Sequence, residues 1–177
     1  MILSGLEIEK HLGRQIYIEP FSREQLCTNS YNLRLHNELL IYENQLLNVK
    51  IPNPVKIVKI YDNGFTLWPG KVYLARTIEH TRTFYFAPMV EARSSISRLG
   101  ISVNASASLG SAGFEGYWTL QLSCIQPVKI YAGIEICQIS YHTLQGKYES
   151  YNGRYQKNTG IQSSLVYKDF PTVSDEI

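Results

Sequence analysis

At 177 residues and 44% hydrophobic, the chain has apolar mass for one domain with a proper core, and no linker marks a second. Seventeen Lys and Arg against 15 Asp and Glu leave a net charge of +2, which excludes a broad basic face for coating nucleic acid but leaves room for a local anion site. Cys27, Cys124 and Cys137 are odd in number and not at metal-ligand spacing, Met1-Ile2-Leu3 runs straight into polar sequence, and no eighteen-residue apolar run occurs, so a reduced, cytoplasmic chain without a membrane partner is expected.

Ser4 followed by Glu7 forms a capping box, and the apolar positions Leu6, Ile8 and Leu12 predict a short helix from about Gly5 to Leu12. IYIEPF reads as a brief strand stopped by Pro20, and CTNSYNLRL alternates as a strand from Ser30 until His36-Asn37, which predicts a turn. Short strands ELLIY, VKIVKIY, GFTLW and KVYLART follow, separated by turns at Asn53-Pro54, Asp62-Asn63-Gly64 and Pro69-Gly70. SSISRLG predicts one helical turn over Ser94 to Leu99, with Ile96 and Leu99 on one side and Gly100 as the C-cap. QPVKIYAGIEICQISYH reads as two strands broken at Ala132-Gly133. From residue 147 to 177 the composition turns aromatic, basic and amide-rich without periodicity, the profile of a lid or of a subunit-packing tail. With 13 Tyr, many Ile and Val, and no long helical period, the chain is mainly β, a barrel or jelly roll with one or two short helices.

The chemistry concentrates between Glu91 and Gln121. Arg93, Ser94 and Ser95, with Arg98 three residues on, are hydroxyl and guanidinium donors of the kind that grip phosphate oxygens. Small residues follow, letting backbone approach a ligand, and GFEGYWTLQL returns as a strand whose alternate residues face one cavity. The stretch reads as a nucleotide pocket. His11, His36, His80 and His142 have no partner spacing that makes a site and read as structural or solvated.

ILSG, SYNLRL, LWPGKVYLARTIE, EARSSISRLG, GFEGYWTLQ, GIEICQI and GRYQKNTG, in this order, resemble the successive blocks of the dCTP deaminase family within the trimeric dUTPase superfamily. The resemblance implies a distorted jelly-roll barrel, a homotrimer with nucleotide sites between subunits, and Mg²⁺ carried on the nucleotide triphosphate. It matches Arg93, Ser94 and Ser95 to the phosphate- and base-contacting motif, Arg98 to an arginine near the reacting base, and Asn104, Ala107, Ser111 and Gln121 to pocket positions. Arg154 stands where the family usually has a lysine, Asn158 replaces a glutamine, and Tyr148 or Tyr151 matches the tyrosine before that lysine.

Three positions depart from the family pattern. Gln121 stands for the general acid/base glutamate, Ser111 for an aspartate, and Asn104 for the histidine of an H-x-T-A block. Deaminating cytosine at C4 requires a group that takes a proton from water and hands one to the leaving amine, and an amide has no usable pKa for this; losing a positioned acid/base costs about 10²- to 10⁴-fold. The H-x-E and P-C-x-x-C signature of zinc deaminases is absent, so no zinc is expected. The favoured reading is therefore a nucleotide-binding protein without the ordinary chemistry, a regulator or a sponge for a nucleotide or nucleotide-like signal. The alternative is an active dCTP deaminase, or a bifunctional one, producing dUTP or dUMP with a relocated base, for which Glu115 is the nearest candidate.

Overall fold

The computed structural model describes residues 1–171, and of residues 105–107 the backbone alone. Helix α1 (Gly5–His11) opens the chain, with the Ser4 hydroxyl accepting from the Glu7 N–H as the capping box requires. Strands β1 (Ile16–Glu19), β2 (Tyr31–Tyr42), β3 (Val55–Lys59), β4 (Phe65–Leu67), β5 (Tyr73–Thr83) and β6 (Phe86–Ala92) follow. Then come a single turn α2 (Ser94–Ser97), β7 (Ile101–Leu109), β8 (Glu115–Cys124), β9 (Val128–Ile130) and β10 (Glu135–Thr143). The expected class holds: the molecule is mainly β with two short helices.

The principal sheet runs β1-β5-β8-β7-β6-β10-β2-β3, and because β2 also pairs with β5 the strands from β5 round to β2 close into a six-strand barrel. Closure removes the exposed edges that an open sheet of these strands would present. Inward positions alternate along every wall. On β8, Gly116, Trp118, Leu120 and Leu122 are buried while Glu115, Tyr117, Thr119 and Gln121 are not. Tyr31, Leu33, Leu35 and Leu39 of β2, Ile139 and Tyr141 of β10, and Leu120 of β8 fill the interior. Strands β4 and β9 form a separate pair.

One local expectation is corrected. His36-Asn37 makes no turn: β2 runs through it to Tyr42, absorbing the irregularity as a register shift against β5 between Leu35 and Leu39. The expected helical turn does form, and Gly100 ends it at φ 80°, but Leu99 is half exposed and only Ile96 packs against the core. No described helix is long and apolar enough to cross a membrane.

The interior also holds a carboxylate. Glu79 of β5 is fully buried, and its oxygens accept from the Arg34 N–H at 2.8 Å, Arg34 Nε at 2.7 Å and Gln25 Nε2 at 3.0 Å. Removing one partner of a buried, hydrogen-bonded pair strands the other. Glu79→Ala should therefore lower unfolding stability by about 3 kcal/mol, read as a shift of the urea midpoint, whereas Glu7→Ala, at a half-buried carboxylate paired with Lys10 on the first helix, should shift it only slightly.

Candidate functional site

Strands β5 and β8 form one wall of a cleft, and the chain beyond Gly146 forms the other. The last segment is fastened by backbone and side chain together. Tyr151 N–H donates to Ala112 O at 2.8 Å, Lys157 N–H to Glu115 O at 2.8 Å and Tyr117 N–H to Asn158 O at 3.0 Å. Gln156 is the central tie, its Oε1 accepting from Glu115 N–H at 2.9 Å and its Nε2 donating to Gly113 O at 2.7 Å and Tyr151 O at 3.2 Å. Gly113 and Gly116 take positive φ of 92° and 150°, and a Cβ at either would meet the backbone of the crossing segment within 3.2 Å, so glycine is required at both crossings.

The resulting cleft is about 430 Å³. Tyr117, Thr119 and Gln121, alternate residues of β8, line it as the strand period demands, with Ser111 and Phe114 at the turn before. Tyr151, Tyr155, Asn158 and Gln162 face them from the tail, and Tyr42 closes one side with its hydroxyl accepting from Ser164 N–H at 3.2 Å. Phe114 lies against Trp118 with centroids 4.6 Å apart and near Tyr151 at 6.1 Å, giving flat aromatic surface suited to a base or sugar. Asn158 Nδ2 donates to Tyr117 O at 3.0 Å and Thr119 Oγ1 at 3.3 Å, and Thr119 Oγ1 also accepts from Gln162 N–H at 3.0 Å.

Behind Tyr117 stands a braced cation. The Arg76 guanidinium lies over the Tyr117 ring at 4.3 Å, and its Nη2 is 2.7 Å from His36 Nε2. Burial, and then the positive charge of Arg76, hold the His36 imidazole below its ordinary pKa against the opposing pull of Glu38. The neutral ring therefore accepts from Arg76 at neutral pH. His80 meets the same tyrosine edge-on at 5.2 Å. His36 and His80 are thus supports of a cleft wall.

The structure brings together only part of the predicted set. Ser111, Gln121, Tyr151 and Asn158 line one cleft; Arg93, Ser94, Ser95, Arg98, Asn104, Glu115 and Arg154 do not. The Ala107 side chain lies outside the described residues. Distance along β7 explains the largest separation, since α2 enters one end of this nine-residue strand and Ser111 follows the other. Arg93 is held by Glu135, Nη1 to Oε2 at 2.8 Å, and Arg154 by Asp169 and by Leu165 O at 2.9 Å. Arg98 is exposed and makes no ion pair among the described residues. Glu115 sits 3.9 Å from Arg82 Nε, outside the cleft lining. Tyr148 donates to Phe84 O at 3.1 Å, leaving Tyr151 as the tyrosine in the cleft. Tyr42 and Gln162 to Ser164 carry no motif in the sequence and enter the lining through the fold, while Leu74 and Tyr155 lie within family-like blocks that do not single them out. Among the described residues no Arg, Lys, Asp or Glu lines the cleft, and no group of three or more His, Cys, Asp or Glu is placed to hold a metal ion.

Comparison with known proteins bears on this geometry. A family model described as dCTP deaminase-like matches residues 2–144. The chain is 57% identical over 171 residues to "dCTP deaminase, dUMP-forming" of Hathewaya histolytica, covering 96% of this chain and 99% of that one. It is 55% identical, with the same coverage, to the protein of that name from Clostridium beijerinckii. The crystal structure of 2'-deoxycytidine 5'-triphosphate deaminase from Agrobacterium tumefaciens superposes with a TM-score of 0.65 at 21% identity, covering 80% of this chain and 47% of that one, and so shares the fold. These relatives correct the expectation of a non-catalytic regulator or sponge: proteins this similar over nearly their full length bear an enzyme's name, which supports the alternative reading. The physical error was local. Gln121 and Ser111 bring no proton carrier at two positions, but a proton carrier is free to come from elsewhere on the surface.

The tie at Gln156 is testable. Gln156→Ala removes three hydrogen bonds from the tail, and at about 1 kcal/mol each it should raise hydrogen exchange and protease cleavage between Tyr148 and Leu165 at least tenfold while exchange in the buried parts of β2 and β10 stays unchanged.

Proposed function

We propose that this chain, which belongs to the dCTP deaminase-like family, is a dCTP deaminase that forms dUMP. The observation that carries the reading is 57% identity over 96% of the chain to a relative of that name, with no more than 1% of that relative left uncovered. The reaction takes dCTP and two waters to dUMP, ammonia and pyrophosphate. The cleft suits the nucleoside part. Phe114 and the tyrosines offer flat apolar surface, and the Gln121 amide offers one acceptor and two donors for the polar edge of cytosine. The Ser111 hydroxyl, in the turn before β8, supplies a donor and acceptor for a water or a sugar oxygen.

A neutral cleft does not balance a triphosphate. The cations come from outside it, and the exposed turn α2 with Arg98, Ser94 and Ser95 is the donor-rich surface suited to the task. On its own chain this turn is separated from Ser111 by the length of β7, so the site is completed by a second copy, as in a homotrimer with sites between subunits. Mg²⁺ enters as part of the substrate, on the triphosphate oxygens, keeping most of its waters, since no carboxylate cage is placed to receive it among the described residues. Such an enzyme works in the cytoplasm, on the deoxynucleotide pool.

Incubation with dCTP and Mg²⁺ should release ammonia, dUMP and pyrophosphate in equal amounts, measured by coupled ammonia assay and chromatography. Accumulation of dUTP would limit the activity to deamination, and absence of all products would refute the reading. Arg98→Ala should raise KM for dCTP roughly tenfold or more, the loss of a charged hydrogen bond being worth about 1.5–3 kcal/mol, and light scattering should give three times the 20.2 kDa chain mass.

A further inference from the structure

Cytosine deamination needs a proton carrier at C4, and no carboxylate lines the cleft among the described residues. The strand register supplies one beside it. Gln121 of β8 is paired with Asn104 of β7, and Asn104 with Glu91 of β6. Directly paired residues of neighbouring antiparallel strands share a face. All three are exposed, whereas their strand neighbours Val90, Val103, Leu120 and Leu122 are buried, so Glu91, Asn104 and Gln121 form one row across the outer surface of the barrel. The row starts at the rim of the cleft, where Gln121 is a lining residue, and ends two residues before Arg93 and the α2 turn.

Other carboxylates of the barrel strands are already engaged. Glu115 faces Arg82 at 3.9 Å, Glu135 holds Arg93 at 2.8 Å, and Glu79 is buried on Arg34 at 2.7 Å. Glu91 has no hydrogen-bond or ion-pair partner for its side chain among the described residues, and its register neighbours Asn104 and Gln138 are neutral amides. Strands lie about 4.8 Å apart, so the Glu91 and Gln121 backbones are about 10 Å apart with Asn104 between them. Both side chains are long enough to lean over Asn104 from opposite sides and meet the two edges of a single flat ring.

We propose that Glu91 is the proton carrier of the deamination, acting on a cytosine held above Asn104 between its carboxylate and the Gln121 amide. The proposal rests on the deaminase reading above. As the water oxygen bonds to C4, the C4=N3 electron pair moves to N3, and the water proton passes through the Glu91 carboxylate to N3. The intermediate then carries a hydroxyl and the amino group on C4. Its hydroxyl proton passes through Glu91 to the amino nitrogen as the C4–N4 bond breaks, giving the C4 carbonyl and ammonia, with Glu91 ionised as at the start. Gln121 holds the ring by hydrogen bonds and exchanges no proton.

The test measures ammonia release from dCTP by the full chain, with the oligomeric state followed by light scattering. Glu91→Gln, which keeps shape and removes the ionisable group, should lower kcat by about 10²- to 10⁴-fold with KM little changed and the assembly intact. Glu91→Asp should fall between the two. The double variant Glu91→Gln with Gln121→Glu should regain part of the lost kcat, because it returns a carboxylate to the other edge of the same ring. An unchanged kcat in Glu91→Gln overturns the proposal and leaves the deaminase reading standing, as does a loss seen only with a changed oligomeric state. Wild-type protein that releases no ammonia overturns both.

Discussion

The barrel depends on an accommodation between strands of unequal length. Between Arg76 and His80, β5 uses four residue steps where β8 uses two, from Thr119 to Tyr117. The surplus is a bulge, and bulges survive where their backbone groups are satisfied. Thr77 does part of this, donating from Oγ1 to Glu79 O at 2.8 Å and accepting from Trp118 N–H at 3.2 Å. Glu79 does the rest by turning its carboxylate inward onto Arg34 and Gln25, which ties β5 to β2 where the ring closes. An ionised group is retained in the core because three donors surround it; fewer would make burial prohibitive. Since the surplus is an even number of residues, the in-out alternation survives the bulge. Arg76 and His80 emerge on the outer face on either side of Tyr117, one over its ring and one at its edge. A core constraint thus sets the position of a cleft wall.

The second wall is added by chain that forms almost no regular structure. It holds because each crossing is made at a glycine: the backbone near Ser150 and Tyr151 passes over Gly113, and Asn158 passes over Gly116. The segment is therefore attached along the same turn that carries Phe114 and Glu115 into β8, and motion of the tail and of that turn are coupled through Gln156. Hydrogen bonds worth about 1 kcal/mol each, spread over an otherwise open segment, make an attachment that is specific but reversible. That suits a surface through which a substrate must enter and leave.

Features set by neighbours in sequence were legible from the sequence. The α1 cap needs only Ser4 and Glu7, the α2 turn only SSISRLG and its glycine, and the alternate cleft residues Tyr117, Thr119 and Gln121 of β8 only the period of two. Features set by pairing across the fold were not. His36-Asn37 has turn composition, yet β5 and Ile60, whose N–H donates to Asn37 O at 2.8 Å, keep it extended. Arg93 and Arg154 read as phosphate ligands from their motifs, but nothing in the spacing announces the ion pairs to Glu135 and Asp169 that the fold gives them. Tyr42 reaches the cleft through Ser164, far along the chain. The step from an amide at Gln121 and a hydroxyl at Ser111 to a protein without the ordinary chemistry is overturned by relatives that bear an enzyme's name. It counted residues at aligned positions, while acid/base chemistry depends on which ionisable groups the surface brings within reach.

The distribution of charge around the cleft has a physical logic of its own. An arginine placed among Phe114, Trp118, Tyr151 and Tyr155 would lose its hydration with no carboxylate to replace it, a cost of several kcal/mol. Hydroxyls and amides tolerate that environment because a few hydrogen bonds satisfy them, and Thr119, Asn158 and Gln162 satisfy one another. Arg98 and Glu91, which make no ion pair among the described residues, instead lie on the outer surface, where each remains hydrated until something covers it. Under the proposed function that cover is the substrate together with a second subunit. Desolvation then occurs only in the assembled complex, when a triphosphate and a reacting base are present to interact with these charges, and it strengthens those interactions as water leaves. A single chain in this arrangement carries Glu91, Asn104 and Gln121 in one row but separates its α2 donors from Ser111 by the length of β7.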